Sequence, residues 1–226
     1  MCPSFLSPPP HFRGQDRERP VTIYRRHLPH WRQPEATYFI TFRLNDSLPQ
    51  SILRELRQLR RIWEEMHPEP RGEGDWREYA RRYTRLAERW LDEGYGDCHL
   101  KLEKYAKLLL TAMSDFQSKR YFLGATVIMP NHCHAVIKPY DQIRLESIVG
   151  SWKQYTSRRM NQELGRTGAL WGQECYDRIV RDVDHLRRIM RYMAQNPVKA
   201  KIPGKYWNRW TCPEWNEAGW TIEAAD

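Results

Sequence analysis

The chain has 226 residues, with 37 Lys and Arg against 28 Asp and Glu and a formal net charge of +9. Hydrophobic residues make up 40% and charged residues 29%, which excludes a disordered or collagen-like chain, and no apolar run approaches the ~20 residues that cross a bilayer. Five cysteines (Cys2, Cys98, Cys133, Cys175, Cys212) are odd in number and form no CxxC pair, which argues against a disulfide scaffold or a thiolate zinc site and makes a reducing cytoplasm the expected compartment.

Residues 1–20 are rich in Pro and charge and read as a flexible arm without a signal peptide's apolar stretch. Thr37 to Leu44, β-branched and aromatic, predicts a strand. Ser51 to about Met66 predicts a helix, with Ile52, Leu53, Leu56, Leu59 and Ile62 at helical spacing. After a loop holding two Pro and two Gly, Trp76–Leu91 and Leu100–Phe116 predict two more helices. Tyr121–Met129 and His132–Lys138 predict a strand pair joined at Pro130-Asn131. Leu145–Leu164 predicts a helix ended by Gly165, Tyr176–Val180 a short extended piece, and Asp182–Gln195 a last helix capped by Asp182 and stopping before Pro197. This order predicts an α+β fold with an antiparallel sheet.

The charge is segregated. Arg144 to Arg209 holds 14 basic against six acidic residues, and the first 33 residues add a further net +4. Such clustering fits an anion-binding footprint, most often for nucleic acid, and equally fits a solvated basic surface.

Within Met129-Pro130-Asn131-His132-Cys133-His134, strand alternation puts His132 and His134 on one face, roughly 7 Å apart along the chain. Two imidazoles so placed can converge on one cation; they can also be two half-exposed histidines at a strand start. Cys133, Ala135 and Ile137 face the other way, toward a core. On the last predicted helix Tyr192 and Asn196 lie one turn apart on one face, whereas Val183, Leu186, Met190 and Met193 form a separate apolar stripe. A phenol there can act as a nucleophile beside a metal, with Asn196 as a neutral oxygen ligand; a tyrosine at the core's edge and an Asn ending a helix is the structural alternative.

The pieces Arg25-Arg26-His27-Leu28-Pro29-His30-Trp31, Thr37–Phe42, Met129–His134, Trp171–Arg181 and Tyr192-Met193-Ala194-Gln195-Asn196-Pro197-Val198-Lys199-Ala200 resemble the REP-associated tyrosine transposases, single-tyrosine members of the HUH endonuclease superfamily. The resemblance runs from about Arg25 to Ile202. It implies a flexible arm over 1–24, an HUH domain over 25–202 with a helical insertion at about 61–100, and a Trp-rich tail over 203–226. The middle position of the HUH motif, usually bulky and apolar, is Cys133, which leaves both histidines intact.

By that resemblance the fold is a ferredoxin-like antiparallel sheet with packed helices. His132, His134 and Asn196 would hold a divalent metal, Mg2+ or Mn2+, although ligand softness alone favours Zn or Mn for two imidazoles. Tyr192 would attack a phosphodiester of single-stranded DNA at palindromic hairpin repeats and form a 5′-phosphotyrosine. The expected DNA contacts are Arg25, Arg26, Lys153, Arg158, Arg159, Arg187, Arg188, Arg191 and Lys199, with Trp31, Tyr155, Tyr206, Trp207 and Trp210 as stacking or core aromatics. His27 and His30 would reach the site or dock the arm, and Tyr155, lacking an Asn or Gln four residues on, is the weaker nucleophile. A monomer acting in cis is expected, with no membrane partner. The rival functions are a DNA-binding protein of the same fold that no longer cleaves, and an HxH hydrolase acting on a small molecule.

Overall fold

The β-branched, aromatic run after Thr37 becomes a central strand of a five-stranded sheet, and everything else is arranged about its two faces. The computed structural model describes residues 7–25, 28–140, 142–204 and 208–222, with only the backbone of Arg25; Arg26, His27, Tyr206 and Trp207 lie outside the described residues. In chain order the elements are β1 (Thr22–Arg25), β2 (Pro29–Arg32), β3 (Tyr38–Leu44), α1 (Gln50–Met66), α2 (Glu73–Asp92), a 3-10 turn (His99–Lys101), α3 (Glu103–Ser114), β4 (Tyr121–Ile128), β5 (His132–Pro139), α4 (Leu145–Glu163), β6 (Trp171–Ile179), α5 (Val183–Lys199), β7 (Asn208–Thr211) and α6 (Pro213–Glu217).

The sheet order is β6-β3-β5-β4-β7, with every pair antiparallel. Taking β3, β4, β5 and β6 as first to fourth gives the order 4-1-3-2 with helices after the first and third strands, which is the ferredoxin-like βαββαβ arrangement. The expected fold class is therefore observed. Strand alternation then divides the residues. Ile40, Phe42, Leu123, Cys133, Ala135 and Ile137 meet α3 and α4 in one core, joined by Leu109, Ile148 and Trp152. Phe39, Phe122, Val127 and Val136 face the opposite way, against Leu186, Met190 and Met193 of α5.

Helices α1 and α2 form a hairpin between β3 and α3 in chain order, and the span expected as an insertion, about 61–100, covers the end of α1, all of α2 and the start of the 3-10 turn. The hairpin packs Trp63, Trp76 and Tyr79 against Leu28 and against Tyr176 of β6. The side chain of Asn131 fastens its far end, donating from Nδ2 to the carbonyls of Leu91 (3.3 Å) and Tyr95 (3.0 Å).

Four features differ from the sequence reading. The small hairpin β1–β2, with Thr22 opposite Arg32, is not announced by its Arg, His and Pro content. Strand β6 is nine residues long and begins at Trp171; its alternating polar positions Gln173, Asp177 and Arg178 mask it. Helix α5 runs through Pro197 to Lys199, because so near the end the ring's missing N–H forfeits one hydrogen bond, and Ala200 and Ile202 still donate to the carbonyls of Asn196 and Pro197. The last difference concerns the ends of the chain. Where a flexible arm is expected, residues 7–15 lie across the sheet: the indole of Trp220 donates to the Ser7 carbonyl, that of Trp215 to the Pro10 carbonyl, and the Gln15 amide to the Val180 and Arg181 carbonyls. The Trp-rich tail contributes β7 to the sheet edge beside β4. Trp215 is buried over Gly124, where a Cβ would stand 2.5 Å from the indole, so only glycine admits that ring.

Candidate functional site

His132 and His134 lie on the α5 face of β5, and both are fully buried. Their Nε2 atoms approach to 3.1 Å. Each ring is held from its far nitrogen. His132 Nδ1 stands 2.7 Å from Asn131 Oδ1. Since Asn131 Nδ2 already donates to two carbonyls, that oxygen accepts, Nδ1 carries the proton and Nε2 presents a lone pair. His134 Nδ1 stands 2.7 Å from the hydroxyl of Thr41, its cross-strand partner on β3. The ring of Phe39 stacks on His134 at 5.5 Å between centroids.

Helix α5 brings Asn196 to the same point. Its Nδ2 lies 2.6 Å from His134 Nε2 and donates to the Tyr192 hydroxyl at 3.3 Å. The ring of Tyr192 is edge-on to His134 at 5.4 Å between centroids. Of the two ends of this amide, Oδ1 is buried without a partner. A half-turn of the amide about its Cβ–Cγ bond turns the oxygen toward the imidazoles and lets the Tyr192 hydroxyl donate to it.

Burial sets the electrostatics. It pushes His132 down to about 3 and His134 well below its ordinary value, with His132 and Arg178 adding to the second shift. Both rings are thus neutral at pH 7, with lone pairs available. Burial also raises the Tyr192 phenol, and the carboxylates of Glu88 and Asp92 on α2 add to that, whereas Arg178 opposes it. With the amide so turned, two imidazole nitrogens and one amide oxygen form a neutral, convergent donor set that fits a divalent cation. Among the described residues no three His, Cys, Asp or Glu side chains cluster as metal ligands; Asn196 is the further side chain that reaches His134 Nε2.

The expected DNA contacts separate into two groups. Lys153, Arg158 and Arg159 are on α4, across the sheet from the histidines; Lys153 donates to the carbonyls of Gly172 and Glu174, and Arg159 lies over the Tyr155 ring. Tyr155 is on that far side as well and does not approach His132 or His134. On α5, Arg188 and Lys199 share Tyr192's helical face by spacing, whereas Arg187 pairs with Asp184 and lies over Trp220; Arg191 is exposed. His30 is buried in an ion-pair cluster with Asp177, and Trp210 is half-buried against the core. Thr41, Asn131 and Arg178 escape the sequence reading. Asn131 directly precedes the HxH pair, but Thr41 and Arg178 require the strand register.

A cleft of about 570 Å³ opens beside this site, with Phe39 and Thr41 of β3 in its floor and α2, β6 and the start of α5 as walls.

Residues 101–196 match the family model described as "Transposase IS200 like". A solved structure of a REP-associated tyrosine transposase bound to a REP hairpin is similar at 15% identity and a TM-score of 0.44, covering 78% of this chain and 72% of that one. No curated protein matches.

Proposed function

We propose that this chain, whose residues 101–196 match the IS200-like transposase model, is a metal-dependent endonuclease and strand transferase for single-stranded DNA, with Tyr192 as nucleophile. One observation carries the reading: the Nε2 atoms of His132 and His134 and the Asn196 amide converge beside the half-buried phenol of Tyr192, one helical turn from Asn196.

In this reading His132, His134 and Asn196 hold a divalent cation, Mg2+ or Mn2+, which when bound would polarise the scissile phosphate and offset its developing charge. The protein's own residues do the rest. Asn131 and Thr41 hold the two rings so that Nε2 faces inward, and desolvation keeps those nitrogens unprotonated. Asn196 fixes the Tyr192 hydroxyl on the same side. The Tyr192 oxygen attacks phosphorus in line; a P–O bond to the phenol forms as the bond to the 3′ oxygen breaks, giving a 5′-phosphotyrosine and a free 3′-hydroxyl. The bridging diester retains the energy of the original bond, so attack by a 3′-hydroxyl reverses the step and joins strands. The phenol must lose its proton in the attack, and Arg178, the cation that lowers its pKa, favours that loss. All four side chains belong to one protomer, which supports a site complete in cis. Palindromic hairpin repeats are the proposed target class.

The test is incubation with 5′-labelled and 3′-labelled hairpin single-stranded DNA and Mn2+ or Mg2+. A covalent adduct is expected from the wild type, absent when EDTA is present from the start, and reduced by about 10⁴-fold or more in Tyr192→Phe, the scale on which loss of a covalent nucleophile acts. An adduct that survives in Tyr192→Phe sinks the assignment; tight hairpin binding with no adduct at all supports instead a DNA-binding relative that no longer cleaves.

A further inference from the structure

Helix α2 has a face that its packing does not use. Trp76, Tyr79, Ala87 and Leu91 are buried. On a different face Arg77, Ala80, Arg81, Thr84, Arg85 and Glu88 recur at helical spacing, and all six line the cleft of about 570 Å³. Across that cleft stand Arg178 of β6 and Arg181 at the start of α5. Five guanidinium groups therefore surround one concave surface. Arg77 is partly engaged with Glu73. Among the described residues Arg81 and Arg85 have no side-chain hydrogen bond or ion pair, so their charge is directed at solvent. The small side chains of Ala80 and Thr84 between the arginines leave room for a chain lying along the helix.

The surface is not purely electrostatic. Trp31 adds a half-buried aromatic ring to the cleft, with Arg77 over it at 5.9 Å. Cationic walls with interleaved aromatic faces are what an unpaired nucleic-acid strand requires: phosphates meet guanidinium groups and exposed bases stack. The cleft is also directed. Its floor includes Thr41, bonded to His134, and Phe39, stacked on the same ring with Arg178 above it at 4.9 Å. Glu88 ends the arginine row on the side where its carboxylate opposes the Tyr192 phenol.

We propose that the inserted helical hairpin is a strand-guiding arm: Arg77, Arg81 and Arg85 of α2, with Arg178 and Arg181 opposite, bind the phosphates of the single-stranded segment that leads to Tyr192. This rests on the single-strand reading above and assigns the insertion a function in it. The surface explains why a basic protein carries a cationic row outside the 144–209 segment, and it predicts that the insertion selects the unpaired flank of a substrate and not the paired stem.

The test compares the wild type with a triple variant, Arg77→Gln, Arg81→Gln and Arg85→Gln, and with a control of equal charge change on α1, Arg54→Gln, Arg57→Gln and Arg61→Gln, none of which lines the cleft. The replaced groups on α2 are exposed, and circular dichroism checks that both variants fold. Affinity is measured against salt for a hairpin with unpaired flanks of about ten nucleotides, a site size typical of such grooves, for the bare hairpin, and for a blunt duplex. The α2 variant is expected to bind the flanked probe about 10–100-fold more weakly, with a log–log salt slope shallower by about 2, since each single-strand phosphate contact contributes about 0.7. The α1 control and bare-hairpin binding should be unchanged. The proposal is overturned if the α2 variant matches wild type, if both triple variants lose affinity alike, or if wild type binds the blunt duplex as tightly as the flanked probe. Adduct formation by the wild type is scored separately. Loss of flank binding without any adduct leaves the arm standing and removes the chemistry, whereas an adduct with unchanged flank binding removes only the arm.

Discussion

The two faces of the sheet are built from the same strands and differ in one respect that decides everything else. On the α3/α4 face, β5 presents Cys133, Ala135 and Ile137 to an apolar layer whose few polar atoms find partners, as where Trp152 donates to the Tyr121 hydroxyl at 2.8 Å. On the α5 face the intervening residues His132 and His134 are equally buried, yet their Nε2 atoms face each other and Asn196 Oδ1 has no partner. Burying polar atoms without full satisfaction is costly, so the second face retains an arrangement that packing alone would not select. One face stores stability; the other holds buried polar groups with incomplete hydrogen bonding beside an arginine-lined cleft.

Substitutions should separate the faces. Truncating Trp152 to Ala removes a fully buried indole from the α4 face and should cost about 3–5 kcal/mol, read by chemical denaturation. Adduct formation per folded molecule should persist, because no side chain of the histidine site touches that ring; a variant that stays folded but loses its metal-dependent adduct would show that the faces are coupled. A smaller effect is expected from Thr41→Val. Loss of the hydroxyl that orients His134 should lower metal affinity or cleavage rate by about 10–100-fold, as loss of an outer partner of a metal-bound histidine does, with little change in unfolding free energy. Cys133→Ala, one residue from either histidine but pointing into the opposite core, should show the reverse pattern: about 1 kcal/mol of stability lost and metal affinity unchanged. Equal effects on both readouts in either variant would contradict the division.

How much of this is legible in the sequence follows the same division. Strand alternation alone assigns Cys133 to the core and its neighbours to one shared face, and helical spacing alone brings Tyr192 and Asn196 together. The long helices are also readable, because their apolar stripes are strong. The depth of burial is not readable: half-exposed histidines and fully buried ones give the same HxH pattern. Nor is the register that sets Thr41 beside His134, since it depends on pairing between segments about 90 residues apart. The basic segment looks continuous along the chain, yet the sheet divides it, with Lys153, Arg158 and Arg159 on one side and the α5 residues on the other. The arginines of α2 read as an ordinary solvated helix face until the fold turns that face into a cleft wall. The N-terminal segment looks flexible for a related reason: its hydrogen-bond partners, the indoles of Trp215 and Trp220, lie some 200 residues away.

The edge of the sheet gives the most specific prediction, because it buries a cluster of charged groups where the α5 face buries neutral imidazoles. His30 Nδ1 lies 2.6 Å from Asp177 Oδ2, with Glu174 3.8 Å from the other ring nitrogen, and Arg32 donates to Asp177 and Glu146. Burial by itself would lower the imidazole's pKa, and Arg32 adds to that, but Asp177 and Glu174 outweigh both and raise it to about 9. A folded-state value above the unfolded 6.5 means that the native state binds the proton more tightly. The contribution is therefore fully present below about pH 6.5 and is lost as pH rises through about 9. Unfolding free energy measured between pH 6 and 10 should fall by roughly 3 kcal/mol through this group, at about 1.4 kcal/mol for each unit, and His30→Gln, which cannot titrate, should flatten the curve. Parallel pH profiles for the two proteins would mean that the imidazole titrates alike in the folded and unfolded chain, so that Asp177 and Glu174 do not hold its proton.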